Sequence, residues 1–467
     1  MNTMDRVAGF IRNLKWESIP PEAQQRARWC LLDGLGAALA GTLTPVSRIA
    51  AGYAAESWRG EGATILLRGL RARAPGAAFA NACAGNALDI DDDAIFTRGH
   101  PGAQLIPAAL AVAEESGASG AALLEALVVG YEVAIRTGRC WHDHHEIYQG
   151  DGAWGSVACA AVAAHLLGLD HNKVKHALGI AEYHAPNAPV MRNVRHPTMV
   201  KHAIGWGAMT GVTSAELAGR GFTGIPCILG FDRYREWVED IGERYWMTDW
   251  VFYKAWCSCA WGHPACLAAL NLMRENALSV DAIKHIQVRT FEEAVLLYQG
   301  CPTTTDEAQF NVRWPLACLL LDGELGPNQV LEHRLGDPRA RALVDKIELV
   351  LDPEADRLYR EAKEMDLRMH SAVEITLEDG RILDSGMVER AADRWDGAAL
   401  EAKFRWLVGH VLEAPVVEGL IRQVAEAEAL PSVRELLQPL QAPQQAGQSR
   451  ISQHGPLTRR ESGSELR

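Results

Sequence analysis

The chain has 467 residues, 48% hydrophobic and 22% charged, which is the composition of an ordinary folded protein with room for two or three domains and no need of a metal or disulfide staple. Its 46 Lys and Arg against 59 Asp and Glu leave a formal charge of -13, which repels phosphate backbones and anionic lipid, so neither nucleic acid nor a membrane is an expected partner. No apolar run reaches the roughly 20 residues that span a bilayer, the N-terminus lacks a secretory pattern, and the ten cysteines follow no disulfide rhythm, so a reducing cytoplasmic location is expected.

In chain order, the first predicted helix opens at Pro20-Pro21, carries Ala27, Leu31, Leu35 and Leu39 on one face and stops at Gly41. Ala103 to Glu115 and Ala121 to Arg136 read as an antiparallel pair joined through Gly117, with Ser119 as N-cap. Gly155 to Leu167, Asn172 to His184 and Pro197 to Ala218 continue the helical periodicity. After about residue 280 the period changes to two. Ile286, Val288 and Thr290 alternate with His285, Gln287 and Arg289, Ile347, Leu349 and Leu351 repeat the period, Val373, Ile375 and Leu377 form a third such run, and Asp379-Gly380 before Ile382 marks a hairpin turn. Helices return over Ala398 to Leu412 and Val416 to Leu430.

The fold class expected is therefore mainly α. A large discontinuous all-helical domain takes residues 1–269 and 396–440, a smaller α+β lid domain takes 270–395, and 441–467 is a polar tail too poor in apolar residues to order itself. Hinges are expected near 270 and 395.

Gly150-Asp151-Gly152-Ala153-Trp154-Gly155 has the GxGxxG spacing, but no hydrophobic strand precedes it, and chance in a glycine-rich chain explains it better than a dinucleotide site. His145-Glu146-Ile147-Tyr148-Gln149 starts like the HExxH zinc helix and lacks the second histidine, so no metal site is expected there. Asp89, Asp91, Asp92 and Asp93, followed by His100-Pro101-Gly102, offer carboxylates to orient an imidazole and raise its pKa. From residue types alone a solvated, helix-capping acidic loop is an equal reading. Lys201-His202 lies in an Ala/Gly-rich helical segment, where a snorkelling lysine is commoner than a pocket lysine. Lys254 and His263 bracket a Cys/Trp segment.

The order of these motifs resembles the MmgE/PrpD family. Ala87-Leu88-Asp89-Ile90-Asp91-Asp92, His100-Pro101, Gly130-Tyr131-Glu132-Val133, Gly155 to Asp170, Lys201, Gly221-Phe222-Thr223-Gly224, the Lys254 to His263 segment and Gln309-Phe310 carry the likeness over roughly residues 5 to 430. The resemblance implies a homodimer without cofactor or metal, acting on a small-molecule carboxylate in a cleft between a helical domain and an α+β lid. It implies catalytic roles for positions matching Asp89, His100, Lys201 and Lys254, with a histidine after Arg136 nearest to His145, for which His142 and His144 compete. Candidate substrate contacts are Asp93, Arg192, His263 and Trp314.

Many members of the family have Arg where this chain has Ala260 and Tyr where it has Trp314. The carboxylate clamp and the phenolic proton donor of those members are thus missing here, and Arg192, Arg195 and His196 are candidate replacements for the positive charge. The expected activity is a hydro-lyase on a small polycarboxylate or hydroxy acid, by proton transfer next to a carboxylate. The alternatives are an epimerase or racemase, a decarboxylase, or a non-catalytic carboxylate-binding paralogue.

Overall fold

The protein is described by a computed structural model over residues 2–361, 369–390 and 395–442. Helices dominate, as the periodicity predicts. The first long one, Pro21–Gly41, starts on a proline whose missing N–H would have had no helical acceptor. Ser119 caps Gly120–His144 by accepting from the Ala122 N–H at 3.3 Å, and Asp170 caps His171–Tyr183 by accepting from Asn172 and Lys173 at 3.1 and 3.0 Å. At the centre stands Asp151–Leu166, buried all round through Ala164, with Ile204–Gly219 against it. Both are rich in Ala and Gly, and small side chains let the helix axes come close.

Several predicted boundaries are wrong: the helix expected to end at Arg136 runs to His144, and the one expected to reach Leu430 ends at Ala425. The helix expected from Pro197 begins at Ile204, and Lys201–Ala203 form a single 3₁₀ turn before it. Lys201, His202 and Ala203 have φ of +34°, +54° and +59°, a left-handed run that no α-helix accommodates.

The buried apolar residues form two clusters. The larger draws on residues 7–253 together with Leu400, Phe404 and the C-terminal helices up to Leu440. The second is built mainly from 255–377, with Ala37, Ala40, Leu88, Ile90, Val190 and Val194 contributed from the helical half. The chain end is tied back by Lys403, whose Nζ donates to Asp33 Oδ1 at 2.5 Å and to the Ile90 carbonyl at 2.8 Å.

Within the second cluster a four-stranded sheet has the order Ile347–Leu351, Ile283–Thr290, His370–Leu377, Ile382–Glu389. The first pair is parallel and the other two antiparallel. Ile286, Val288 and Thr290 are buried, as the alternation requires, whereas Ile382–Glu389 is a largely exposed edge strand. The Asp379-Gly380 turn lies where the sequence puts it, with Gly380 at φ +89°. The tail expected at 441–467 lies outside the described residues from 443 onward. Among the described residues all ten cysteines are free thiols.

A short ribbon joins the two segments richest in ionisable side chains. Asp93–Ala94 pairs antiparallel with Val251–Phe252, which fixes the acidic loop beside the stretch that carries Lys254.

Candidate active site

The acidic loop is buried, and each of its carboxylates has a separate task. Asp89, Asp91, Asp92 and Asp93 are at most 6% exposed. Asp89 Oδ1 accepts from Lys254 Nζ at 2.8 Å. Both Asp91 oxygens accept from Asn86 Nδ2 at 3.0 and 3.1 Å. Asp92 accepts from the Tyr131 hydroxyl at 2.6 Å and the Gly102 N–H at 2.8 Å, and Asp93 pairs with Arg390 at 2.7 Å. The solvated-loop reading is thereby ruled out, because burying four carboxylates is tolerable only when each is hydrogen-bonded or paired.

His100 sits among them. Its Nδ1 is 2.8 Å from the Asp92 carbonyl, and its Nε2 is 3.4 Å from Asp89 Oδ1. Burial and the Lys254 ammonium act to lower its pKa, yet Asp91, Asp89 and Asp151 outweigh them and push it up to about 9. The ring is therefore an imidazolium at neutral pH. Burial acts to raise the Asp89 pKa, but Lys254, His100 and Lys201 hold it far below the ordinary carboxylate range.

Lys201 enters from the left-handed turn. Its Nζ donates to Gln309 Oε1 at 2.5 Å, and Gln309 Nε2 in turn donates to the Ala87 carbonyl at 2.9 Å. Three consecutive non-glycine residues at positive φ store backbone strain, and such strain persists only where packing over-determines it. The packing partner is Gly152, where a Cβ would lie 2.1 Å from the Ala203 carbonyl oxygen. The Gly150-Asp151-Gly152 run is thus neither a phosphate loop nor chance: it makes room for the lysine turn.

Asp151 follows the same logic. A Cβ on Gly99 would lie 1.6 Å from Asp151 Oδ1, so glycine is required for the carboxylate to reach the His100 backbone N–H, which donates to it at 3.3 Å. Its Oδ2 is buried without a hydrogen-bond partner, and burial pushes its pKa up to about 7. His202, opposite, is lowered to about 3 by burial and by His100. Donor atoms of His100, Asp151 and His202 lie within 4.8 Å of one another, as do those of Asp89, Asp91 and His100. These are the residues that could hold a cation, although Lys254 already supplies positive charge to the second group.

A cavity of about 40 Å³ lies over His100 and Asp89. Its lining includes Asp93, Arg98, Tyr148 and His202 from the first half of the chain and Cys259, Ala260, Trp261, Phe310, Tyr359 and Met369 from the second. It therefore lies at the seam where the helical half meets the second cluster.

Of the residues expected in the site, Asp89, His100, Lys201 and Lys254 converge, and Asp93 lines the cavity. The others are elsewhere. His145 caps the exposed end of Gly120–His144, its ring 4.7 Å from that of Trp141, because the helix runs on and carries it outward. His142 Nε2 is bound to the Thr97 carbonyl at 2.7 Å, and the lining side chain from this loop is Tyr148. Trp314 is core, its indole donating to the Gln329 carbonyl at 2.9 Å. His263 is buried against Trp256 with Nε2 3.2 Å from the Ser258 carbonyl. Arg192 lines a separate outer pocket. Sequence reasoning missed Asp151 and His202 as site residues. The one signal for Asp151 was its place between two glycines at a helix start.

Residues 5–231 match the MmgE/PrpD N-terminal domain and residues 256–426 the MmgE/PrpD C-terminal domain. The chain is similar to cis-aconitate decarboxylase of Homo sapiens, 28% identical over 469 residues that cover 93% of this chain and 94% of the relative. Cis-aconitate decarboxylase of Aspergillus terreus is 24% identical, with 94% and 95% covered. The 2-methylcitrate dehydratase of Cupriavidus necator is 26% identical over 258 residues, 50% of this chain and 51% of the relative. Matched in both halves and in order, the chain belongs to the MmgE/PrpD family.

Proposed function

We infer that the protein is a lyase acting on a small polycarboxylic or hydroxy acid, and that its reaction is elimination of water. The observation that carries this reading is the meeting of an imidazolium, His100, with a free carboxylate oxygen of Asp151 in one buried cluster that also holds two lysines. Two titratable groups pushed to different pKa values by their surroundings are the mark of an acid and base pair. Asp151, near 7, takes the proton from the carbon next to a substrate carboxylate. The electron pair moves toward that carboxylate, and Lys201 and Lys254 offset the charge that develops. His100 gives its proton to the departing hydroxyl, which leaves as water.

A cavity of about 40 Å³ admits water but no polycarboxylic acid. In this reading the seam between the helical half and the second cluster opens to admit the acid, and its closure expels bulk water.

Decarboxylation is the second reading. It is favoured by the cis-aconitate decarboxylases, which cover more than nine-tenths of this chain at 24 and 28% identity. It needs the acid, His100, more than the base. Incubating the purified protein with citrate-like, malate-like and aconitate-like acids, followed by proton NMR and carbon dioxide release, separates the possibilities. Vinylic product without carbon dioxide supports dehydration, and carbon dioxide supports the second reading. Solvent deuterium entering an otherwise unchanged acid indicates epimerisation. Binding without turnover would overturn the enzymatic reading.

A further inference from the structure

Next to the small catalytic cavity lies a much larger space. An outer pocket of about 670 Å³ shares Val190 and His202 with the cavity. That volume falls within the roughly 300–1,000 Å³ of small-molecule sites, and the inner cavity falls far below it.

Two features mark the outer pocket as built for a ligand. Asn193 lines it and is only 8% exposed, yet neither Oδ1 nor Nδ2 has a hydrogen-bond partner. A buried amide with both ends unpaired is costly unless something else completes it. Beside it, Arg192 lines the same pocket, and among the described residues no carboxylate pairs with it. A guanidinium fork fits a carboxylate in two parallel hydrogen bonds. Trp206 and Val200 supply an apolar wall, suited to the methylenes of a chain. His202, held by the left-handed turn, stands where the two spaces meet.

The geometry points to an extended substrate: a polycarboxylic acid whose reacting end enters the cavity over His100 and whose chain passes His202, so that a distal carboxylate reaches Arg192 and Asn193. This rests on the lyase reading and narrows its substrate class from small acids to those with a carboxylate several bonds beyond the reacting carbon. The Asn193 amide is closed to solvent in the free pocket, so binding requires it to turn outward, where Nδ2 donates to that carboxylate.

The test uses the full chain and a series of citrate-like acids lengthened by successive methylenes, each carrying a terminal carboxylate. Binding is followed by calorimetry and turnover by NMR, for the wild type and for Arg192→Met, Arg192→Lys and Asn193→Leu. The expected result is that wild-type kcat/KM favours a lengthened acid over the short parent. Arg192→Met and Asn193→Leu reduce that preference by roughly tenfold or more, through KM rather than kcat, and Arg192→Lys restores part of it. Equal losses on short and long acids, or no loss, would overturn the inference, as would a changed oligomeric state in Asn193→Leu showing that a second copy fills the pocket. Arg192-dependent binding of a long acid without turnover would sink the lyase reading while leaving the pocket assignment standing. Turnover with a preference indifferent to Arg192 and Asn193 would do the reverse.

Discussion

Lys254 Nζ and Asp89 Oδ1 are 2.8 Å apart with both side chains at most 2% exposed, and this buried pair joins two segments 165 residues apart in the chain. Removing one partner strands the other's charge, which typically costs about 3–5 kcal/mol. Lys254→Met is expected at the lower end of that range, since His100 remains beside Asp89. Urea unfolding followed by circular dichroism measures it, and the double variant Asp89→Asn, Lys254→Met should recover part of the loss.

His100 also links stability to pH. Its pKa is raised from 6.5 to about 9, so the folded protein holds this proton more tightly than the unfolded chain does. The resulting stabilisation is complete below about pH 6.5 and is lost as pH rises through about 9. The melting temperature of the wild type should therefore fall more between pH 7 and pH 9.5, by a few degrees, than that of His100→Gln. Parallel curves would contradict the shift.

Ala203, at φ +59°, carries a backbone penalty of roughly 1–2 kcal/mol that glycine lacks, against glycine's own entropic cost of about 1. Ala203→Gly is expected to be neutral to slightly stabilising, and Ala203→Val clearly destabilising. The glycine variant should nonetheless lower kcat, because the turn that fixes Lys201 gains freedom. Thermal unfolding and steady-state kinetics check the two halves separately.

Gln309 positions Lys201 and has no contact with the reacting atoms in the proposed scheme. Gln309→Leu removes the acceptor of the 2.5 Å hydrogen bond, so kcat should fall by about tenfold, at a stability loss on the order of 1–3 kcal/mol. Gln309→Glu, which keeps an acceptor, should retain most of the rate.

Much of the fold is legible from local pattern: Ala- and Gly-rich periodicity gives the helices, and alternation at Ile286, Val288 and Thr290 gives a strand. The start of the helix at Ile204 was not legible, since nothing in Pro197 to Ala203 announces a left-handed run imposed by packing on Gly152. In the site, Asp89, His100, Lys201 and Lys254 are recognisable by type and family likeness. The division of labour among the four aspartates is not, because it depends on Tyr131, Asn86, Lys254 and Arg390, all fixed by tertiary contacts. His145 misled because nothing in the sequence shows that the preceding helix runs to His144. Asp151 was hidden for the opposite reason: its flanking glycines matched a motif with a different use.

If His100 supplies a proton and Asp151 accepts one, both groups must show in the pH dependence of kcat/KM, measured on whichever acid the panel shows to react. The expected profile is a bell with limbs near 7 and 9, following the groups pushed to about those values, with Asp151→Asn removing the lower limb and His100→Gln the upper. A flat profile, or a bell unchanged by both substitutions, would contradict the proton-transfer roles of the two residues.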